Sequence, residues 1–138
     1  MTDRPDWVTA ALATAPVGRL ATVDAAGTVH LVPICFAVVG DRLVSAVDHK
    51  PKRHTRLQRL ADMAATGRAS VLVDHYDDDW AQLWWIRISG AAAEEPAASA
   101  LDGAGRAALV AKYRQYRERP PLGPLWSLAL DSVGWWRA

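Results

Sequence analysis

The chain has 138 residues, a length typical of one domain, so we expect a single domain over residues 1–138 with one hydrophobic core. Hydrophobic residues make up 51% of the sequence, yet no apolar run approaches the ~20 residues of a membrane helix, so a membrane partner is not expected. The formal net charge of +1, together with a basic patch that is short, argues against sequence-independent binding of DNA or RNA.

The cysteine count and the N-terminus indicate the compartment. Cys35 is the only cysteine, which excludes an internal disulfide and suits a reducing environment. The first residues show no basic region followed by an apolar stretch, so no signal peptide is predicted. We therefore expect a cytoplasmic protein.

The N-terminal part of the chain predicts a short helix followed by a β-hairpin. The helix begins near Pro5 and ends before Pro16. Two strand patterns, 19–23 and 28–32, then flank a turn at 24–27 that closes with a glycine.

Pro33 follows the second strand of the hairpin and has no N–H to donate, which favours an edge strand, a bulge or a bend. The strand pattern continues over 34–39 and returns over 43–47 after a Gly-Asp turn. These segments predict three successive antiparallel strands, a meander rather than a β-α-β unit.

Residues 48–56 form a compact basic segment with the sequence DHKPKRHTR, which runs into a predicted helix over 53–65. Lys52, Arg56 and Arg59 recur at i, i+4 and i+7, so they form a positive stripe at the electropositive end of this helix. Cations and free backbone N–H groups around one point favour a bound anion of phosphate size. A solvated helix face is the competing interpretation, and the proline near the helix start favours the anion site.

The second half of the chain predicts more strands and one broken helix. Strands are expected at 69–74 and 82–93, and a closing strand at 126–136. The segment 97–119 has a helical composition, and Gly103 and Gly105 are expected to divide it. The whole pattern predicts a mainly β fold, a six-stranded antiparallel barrel with peripheral helices.

The chain contains seven tryptophans, four of which form two adjacent pairs in predicted strands. Neighbouring residues of a strand point to opposite faces, so one member of Trp84–Trp85 and one of Trp135–Trp136 are expected in the core. The other member of each pair is free to contact a partner subunit or a planar ligand. Core or dimer contact is the favoured interpretation for any single tryptophan.

Residues with catalytic or metal-binding chemistry are scattered along the chain. The four histidines do not fall at metal-ligand spacings and there is no second cysteine, so no metal site is predicted. Three polar side chains remain as candidates for proton transfer: His30, His75 and Tyr76. The residue pattern assigns no catalytic acid or base.

Four segments in a fixed order carry a resemblance to a known family. They are GRLATV at 18–23, VPI at 32–34, HKPK at 49–52 and SVLVDHY at 70–76. In this order the chain resembles the pyridoxamine 5'-phosphate oxidase-like split-barrel flavoproteins. Three further strings, DHKPK at 48–52, HYDDDW at 75–80 and LWW at 83–85, are similar to an actinobacterial branch of F420-dependent enzymes.

The resemblance implies an FMN-binding split-barrel fold and a homodimer that holds its cofactor in a groove between the subunits. It assigns the cofactor phosphate to side chains at the strand-to-helix turn: Lys50, Lys52, Arg53, Thr55 and Arg56. It places three residues along the cofactor ring: Val32, Pro33 and Ile34.

The activity implied by the resemblance is that of an F420-dependent oxidoreductase, a reductase that transfers a hydride between the deazaflavin and a small organic substrate. Two alternatives stay open: FMN in the same groove, and a non-catalytic F420 carrier. The oligoglutamyl tail of F420 is anionic, so the additional cations Arg59 and Arg68 favour F420 over FMN.

Overall fold

The structure, a computed structural model, describes residues 3–47 and 57–138. The basic segment 48–56 lies outside the described residues, and with it the predicted phosphate ligands. The helices are α1 (Asp6–Thr14), α2 (Gln58–Thr66), α3 (Ala100–Lys112) and α4 (Arg114–Glu118). The strands are β1 (Gly18–Val23), β2 (Val29–Ile34), β3 (Ala37–Val39), β4 (Arg42–Ala46), β5 (Arg68–His75), β6 (Trp84–Glu94), β7 (Leu125–Ala129) and β8 (Ser132–Arg137).

The strands form one antiparallel sheet of the split-barrel class. Their order is β2-β1-β5-β6-β7-β4-β3, and β8 pairs with β6 beside β7. The two ends of this path, β2 and β3, are joined through Cys35 and Phe36. The two edge strands of the sheet are therefore joined by only two residues of chain, so the sheet curves back toward itself. β2 and β3 do not pair with each other, so the barrel is not closed by a strand ladder. The prediction of a mainly β, antiparallel fold with peripheral helices is confirmed.

The described residues contain eight strands rather than the six predicted, because two predicted strands each break in two. The segment 28–39 divides into β2 and β3 at Cys35 and Phe36. Pro33 lies inside β2, a strand whose partner is β1 alone. The segment 126–136 divides into β7 and β8 at Leu130 and Asp131, where the carboxylate of Asp131 accepts a hydrogen bond from the N–H of Ala91. Gly90 lets the chains approach here, since a Cβ at this position would collide with the backbone of β7.

The predicted break in the C-terminal helix is misplaced. The glycines at 103 and 105 lie inside the continuous helix α3, and the break falls at Tyr113 between α3 and α4. Gly105 serves packing instead: a Cβ there would lie 2.9 Å from Cδ1 of Leu125 on β7. Gly103 faces open space, and α3 continues through both glycines.

The short helices α1 and α2 cover the sheet with apolar residues. α1 buries Val8 and Leu12. α2 buries Leu60 and exposes Ala64, and it also buries Asp62. A carboxylate therefore occupies a position on the inner face of α2.

The buried apolar residues form two clusters rather than the single core expected. The larger lies inside the curled sheet beneath α1 and α2, around Phe36, Ile86 and Trp126. The smaller includes Val44 and Leu125 and lies beneath α3 and α4. The second cluster exists because α3 packs against β3, β4 and β7 on the side of the sheet that the larger cluster does not use.

No helix among residues 3–47 and 57–138 combines the length and the apolar character needed to cross a membrane.

Candidate functional site

The outward face of the sheet is built from β2, β1, β5, β6 and β8, and its side chains point away from the larger hydrophobic cluster. Strand pairing aligns two rows across this face. One row runs Pro33, Arg19, Leu72, Arg87 and Gly134, and a parallel row runs Leu31, Ala21, Ser70, Ser89 and Ser132. The face is therefore continuous from the edge strand β2 to β8.

Large apolar side chains stand exposed along this outward face. On the edge strand β2 they are Val29, at 58% exposure, and Leu31, at 75%. Leu72 lies two strands away and is also exposed. At the centre of the face the hydroxyls of Ser70 and Ser89 bond to each other at 2.7 Å, so the small side chains there satisfy their own polar groups. An exposed apolar surface of this kind is typical of a binding interface.

A groove of about 390 Å³ crosses the outward face where β5, β6 and β8 run side by side, and we call it the aromatic groove. Its floor and walls include Leu72, Asp74, Trp85, Arg87 and Trp136. The volume lies in the range of ~300–1,000 Å³ that small-molecule sites occupy. Most of the lining is apolar or aromatic, which suits a flat ring system.

Two side chains of the aromatic groove, Asp74 and Arg87, carry charge at neutral pH. The guanidinium of Arg87 lies 5.2 Å from the centre of the Trp85 ring, a cation–π contact. Asp74 accepts a hydrogen bond of 3.1 Å from Arg19, so its charge is already paired. Arg87 forms no ion pair with a described residue, and it is the cation of the groove best placed to meet an anionic or carbonyl group.

His75, Tyr76 and Trp84 line one end of the groove. The rings of His75 and Trp84 stack at 6.2 Å, and Trp84 also meets Trp7 edge-on at 6.1 Å. Trp84 packs against the larger hydrophobic cluster while Trp85 lies on the outward face, so the predicted division of this pair is confirmed. Trp135 and Trp136 divide in the same way.

The residues predicted to line the cofactor ring separate between the two faces of β2. Val32 packs against the larger cluster, and Ile34 is buried within it. Pro33 is exposed on the outward face, in the same row as Leu72 and Arg87 of the groove. The lining role of these three residues remains a prediction, as does phosphate binding by the segment 48–56.

A second polar site lies between α2 and the β1–β2 hairpin. The buried carboxylate of Asp62 accepts hydrogen bonds from Thr22 at 2.7 Å and Gln58 at 2.7 Å, and Nδ1 of His30 lies 2.8 Å from it. Burial alone would raise the pKa of Asp62, but the bonds from Thr22, Gln58 and His30 hold that pKa below its usual value. Asp62 therefore carries its charge inside the protein, and the imidazole of His30 is held in one orientation.

The three polar candidates for catalysis do not converge. His30 pairs with Thr22 close to the turn of the β1–β2 hairpin, whereas His75 ends β5 beside the aromatic groove. Tyr76 follows His75 and is 67% exposed. The histidines were candidates from the sequence, but Asp62 was given no role; its one signal was that it is the only acid between Lys50 and Arg68, a stretch rich in lysine and arginine.

The comparisons with known proteins agree on the fold. The family model described as pyridoxamine 5'-phosphate oxidase matches residues 5–136, nearly the whole chain. No curated protein sequence matches the chain.

Three solved structures illustrate the likeness. HutZ, the heme storage protein of Vibrio cholerae, superposes with a TM-score of 0.76 at 12% identity, over 99% of this chain and 95% of its own. A heme-binding protein of Mycobacterium smegmatis has a TM-score of 0.74 at 20% identity, over 98% of this chain and 55% of its own. A FAD-binding protein of Mesorhizobium loti has a TM-score of 0.69 at 18% identity, over 96% of this chain and 92% of its own. At these identities the likeness establishes the fold.

Proposed function

We propose that this chain, which belongs to the pyridoxamine 5'-phosphate oxidase family, is a cytoplasmic F420-dependent oxidoreductase that reduces a small organic substrate. The observation that carries the proposal is the aromatic groove, an apolar site whose lining includes Arg87, a cation without an ion-pair partner among the described residues. A deazaflavin or flavin supplies hydride transfer when it is bound, and the protein supplies the binding surface and the orientation.

The residues of the groove fit a planar redox ring. Trp85 and Trp136 offer aromatic surface, Leu72 offers apolar contact, and Arg87 offers donors to a ring carbonyl. Arg68 is exposed at the start of β5, and a cation there is consistent with the anionic tail of F420. Arg59 is half-buried and already engaged, so it offers less support than the sequence suggested.

We also propose that two copies of this chain pair through the outward face and enclose the aromatic groove between them. Leu31 is 75% exposed on this face. Burying its side chain against a second subunit would remove apolar surface from water, which stabilises the dimer. A second subunit would exclude water from the groove, which strengthens polar contacts to a bound cofactor.

The dimer proposal has a matched pair of variants. Leu122 is 73% exposed but lies in the segment between α4 and β7, away from the outward face. Leu31→Glu should convert the dimer to a monomer in analytical ultracentrifugation, because it places two charges in one interface, and Leu122→Glu should stay dimeric. A dimer that survives Leu31→Glu, or a wild-type monomer at ~100 µM, contradicts the proposal.

The cofactor is tested by titrating the purified dimer with F420 and with FMN, and by native mass spectrometry for retained cofactor. We expect saturable binding of F420 that weakens at least tenfold in Arg87→Ala, since a charge-assisted hydrogen bond contributes about 1.5–3 kcal/mol. Arg42 is a partly exposed arginine outside the groove, and Arg42→Ala is the matched control. Absence of saturable binding of either cofactor by a folded dimer ends the proposal.

The predicted phosphate ligands are tested in the same titration. Lys52→Ala and Arg56→Ala should each weaken the cofactor by about 1.5–3 kcal/mol and leave the unfolding temperature unchanged. If both variants bind with wild-type affinity, the phosphate lies elsewhere, and the groove is then judged by Arg87→Ala alone.

Three alternatives share this site. FMN in place of F420 is distinguished by the relative affinities of the two titrations. A non-catalytic F420 carrier is distinguished by tight binding without turnover. A heme carrier is favoured by a separate observation: His75 stands at the end of the groove, where an imidazole is available to an iron atom. Tight heme binding that is lost in His75→Ala, with no turnover of unsaturated substrates by bound F420, would select the heme carrier.

A further inference from the structure

We propose that Asp24, His30 and Asp62 form a binding site for a divalent transition-metal ion, separate from the aromatic groove. One ligand atom from each side chain, a carboxylate oxygen or a ring nitrogen, lies within 4.8 Å of the other two. Ligand atoms that share one ion at ~2.0–2.2 Å lie about 3 to 4.4 Å apart. The separations in the structure therefore lie close to those of a metal site.

The three ligands come from three different elements. Asp24 lies in the turn after β1, His30 lies on β2, and Asp62 lies on α2, 32 positions beyond His30. The spacing of these three residues in the sequence does not match any zinc motif, which is why no metal site was predicted from the sequence. Docking of α2 against the hairpin brings the ligands together.

Each carboxylate is held in place before any ion arrives. Oδ1 of Asp24 accepts hydrogen bonds from the N–H groups of Ala26 and Thr28, both at 2.9 Å, and its Oδ2 has no hydrogen-bond partner among the described residues. Asp62 is oriented by Gln58 and by the hydroxyl of Thr22, which offers a further oxygen next to the site. Ligands oriented by outer hydrogen bonds of this kind are the usual support of metal sites.

The charge of the cluster favours a cation. Within the part of the chain that the structure describes, no lysine or arginine forms an ion pair with Asp24 or Asp62. Two carboxylates close together repel each other, and an ion between them replaces that repulsion with attraction. If Nδ1 of His30 binds the ion, its proton moves to Nε2, so a neutral imidazole binds without a net loss of a proton. Imidazole with two carboxylates suits Zn²⁺ better than Mg²⁺.

The experiment is calorimetric titration of the chelator-treated full chain with Zn²⁺, with Mg²⁺ in parallel. We expect one Zn²⁺ per chain, no heat from Mg²⁺, and a rise in unfolding temperature with Zn²⁺. Asp24→Asn keeps the oxygen that accepts from the turn N–H groups, so it should fold normally and weaken Zn²⁺ at least tenfold, as should His30→Gln.

Two controls separate this site from ordinary surface binding. Asp41 occupies the turn of the other hairpin, and His75 is the imidazole at the groove, so Asp41→Asn and His75→Gln should bind Zn²⁺ as the wild type does. Loss of binding in His75→Gln, or wild-type binding in both Asp24→Asn and His30→Gln, overturns the proposal. Wild-type protein that takes up no Zn²⁺ overturns it as well.

Discussion

Replacing Asp62 tests whether the buried carboxylate fastens α2 to the β1–β2 hairpin. Asp62→Ala removes the acceptor for three donors, but their fates differ because their exposures differ. His30 is 35% exposed and Gln58 is exposed, so both can turn to water. Thr22 is 2% exposed, and its hydroxyl is left without a partner inside the protein.

The expected loss of stability in Asp62→Ala comes mainly from the buried hydroxyl of Thr22. A stranded buried hydroxyl costs about 1–3 kcal/mol, and the loss of the carboxylate volume adds about 1 kcal/mol. We therefore expect Asp62→Ala to lower the free energy of unfolding by roughly 2–4 kcal/mol, a large part of the ~5–15 kcal/mol available to such a domain. The double variant Thr22→Val with Asp62→Ala should recover part of this loss, since no polar group is then left unpaired.

The assay is urea unfolding followed by tryptophan fluorescence in buffer with a metal chelator, so that no ion contributes. Asp41→Ala is the matched control, because Asp41 is highly exposed and should change stability by less than ~0.5 kcal/mol. The reasoning is refuted if Asp62→Ala unfolds within about 0.5 kcal/mol of the wild type, or if the double variant loses the full sum of the single losses.

Three further predictions use other parts of the fold. Gly103→Ala should stabilise α3 by about 1 kcal/mol, whereas Gly105→Ala should destabilise the protein because its Cβ meets β7 at 2.9 Å; urea unfolding of the pair checks both. Burial lowers the pKa of Lys112 from 10.5 to about 8. Between these two pH values the unfolded state binds more protons than the folded state, so stability should rise with pH. Thermal unfolding of Lys112→Met should show no such rise. The hydrogen bond from Arg106 holds the pKa of Asp102 below 3.8, so its stabilising contribution is present above pH ~3.8 and lost as pH falls through the lower value, a loss absent in Asp102→Asn.

Local patterns in the sequence were enough for most elements of the fold. Pro5 and Pro16 bracket α1, and alternation around a glycine turn produced the first hairpin as predicted. The alternation rule also divided both tryptophan pairs between the two faces. These features depend on backbone geometry within a few residues, so they can be read without knowing what packs against them.

The glycines of α3 show where local reasoning failed. Propensity treats a glycine in a helix as a weak point, and on that basis Gly103 and Gly105 were expected to divide the helix. The role of Gly105 is set by β7, which approaches too closely for a larger side chain. A contact with a strand some twenty residues further along the chain leaves no mark in the local pattern.

The candidate sites also differ in how much of each could be predicted from the sequence. Amino-acid order alone determined the family and the antiparallel architecture, because short segments in a fixed order carry both. The anion site at the basic segment stays a prediction. Only the tertiary structure placed Trp136 beside Trp85 and Arg87, and only it brought Asp62 to His30. The physical reason is that a site formed across strands and helices depends on sheet register and on helix docking, and both are set by burial of the whole chain rather than by any segment of it.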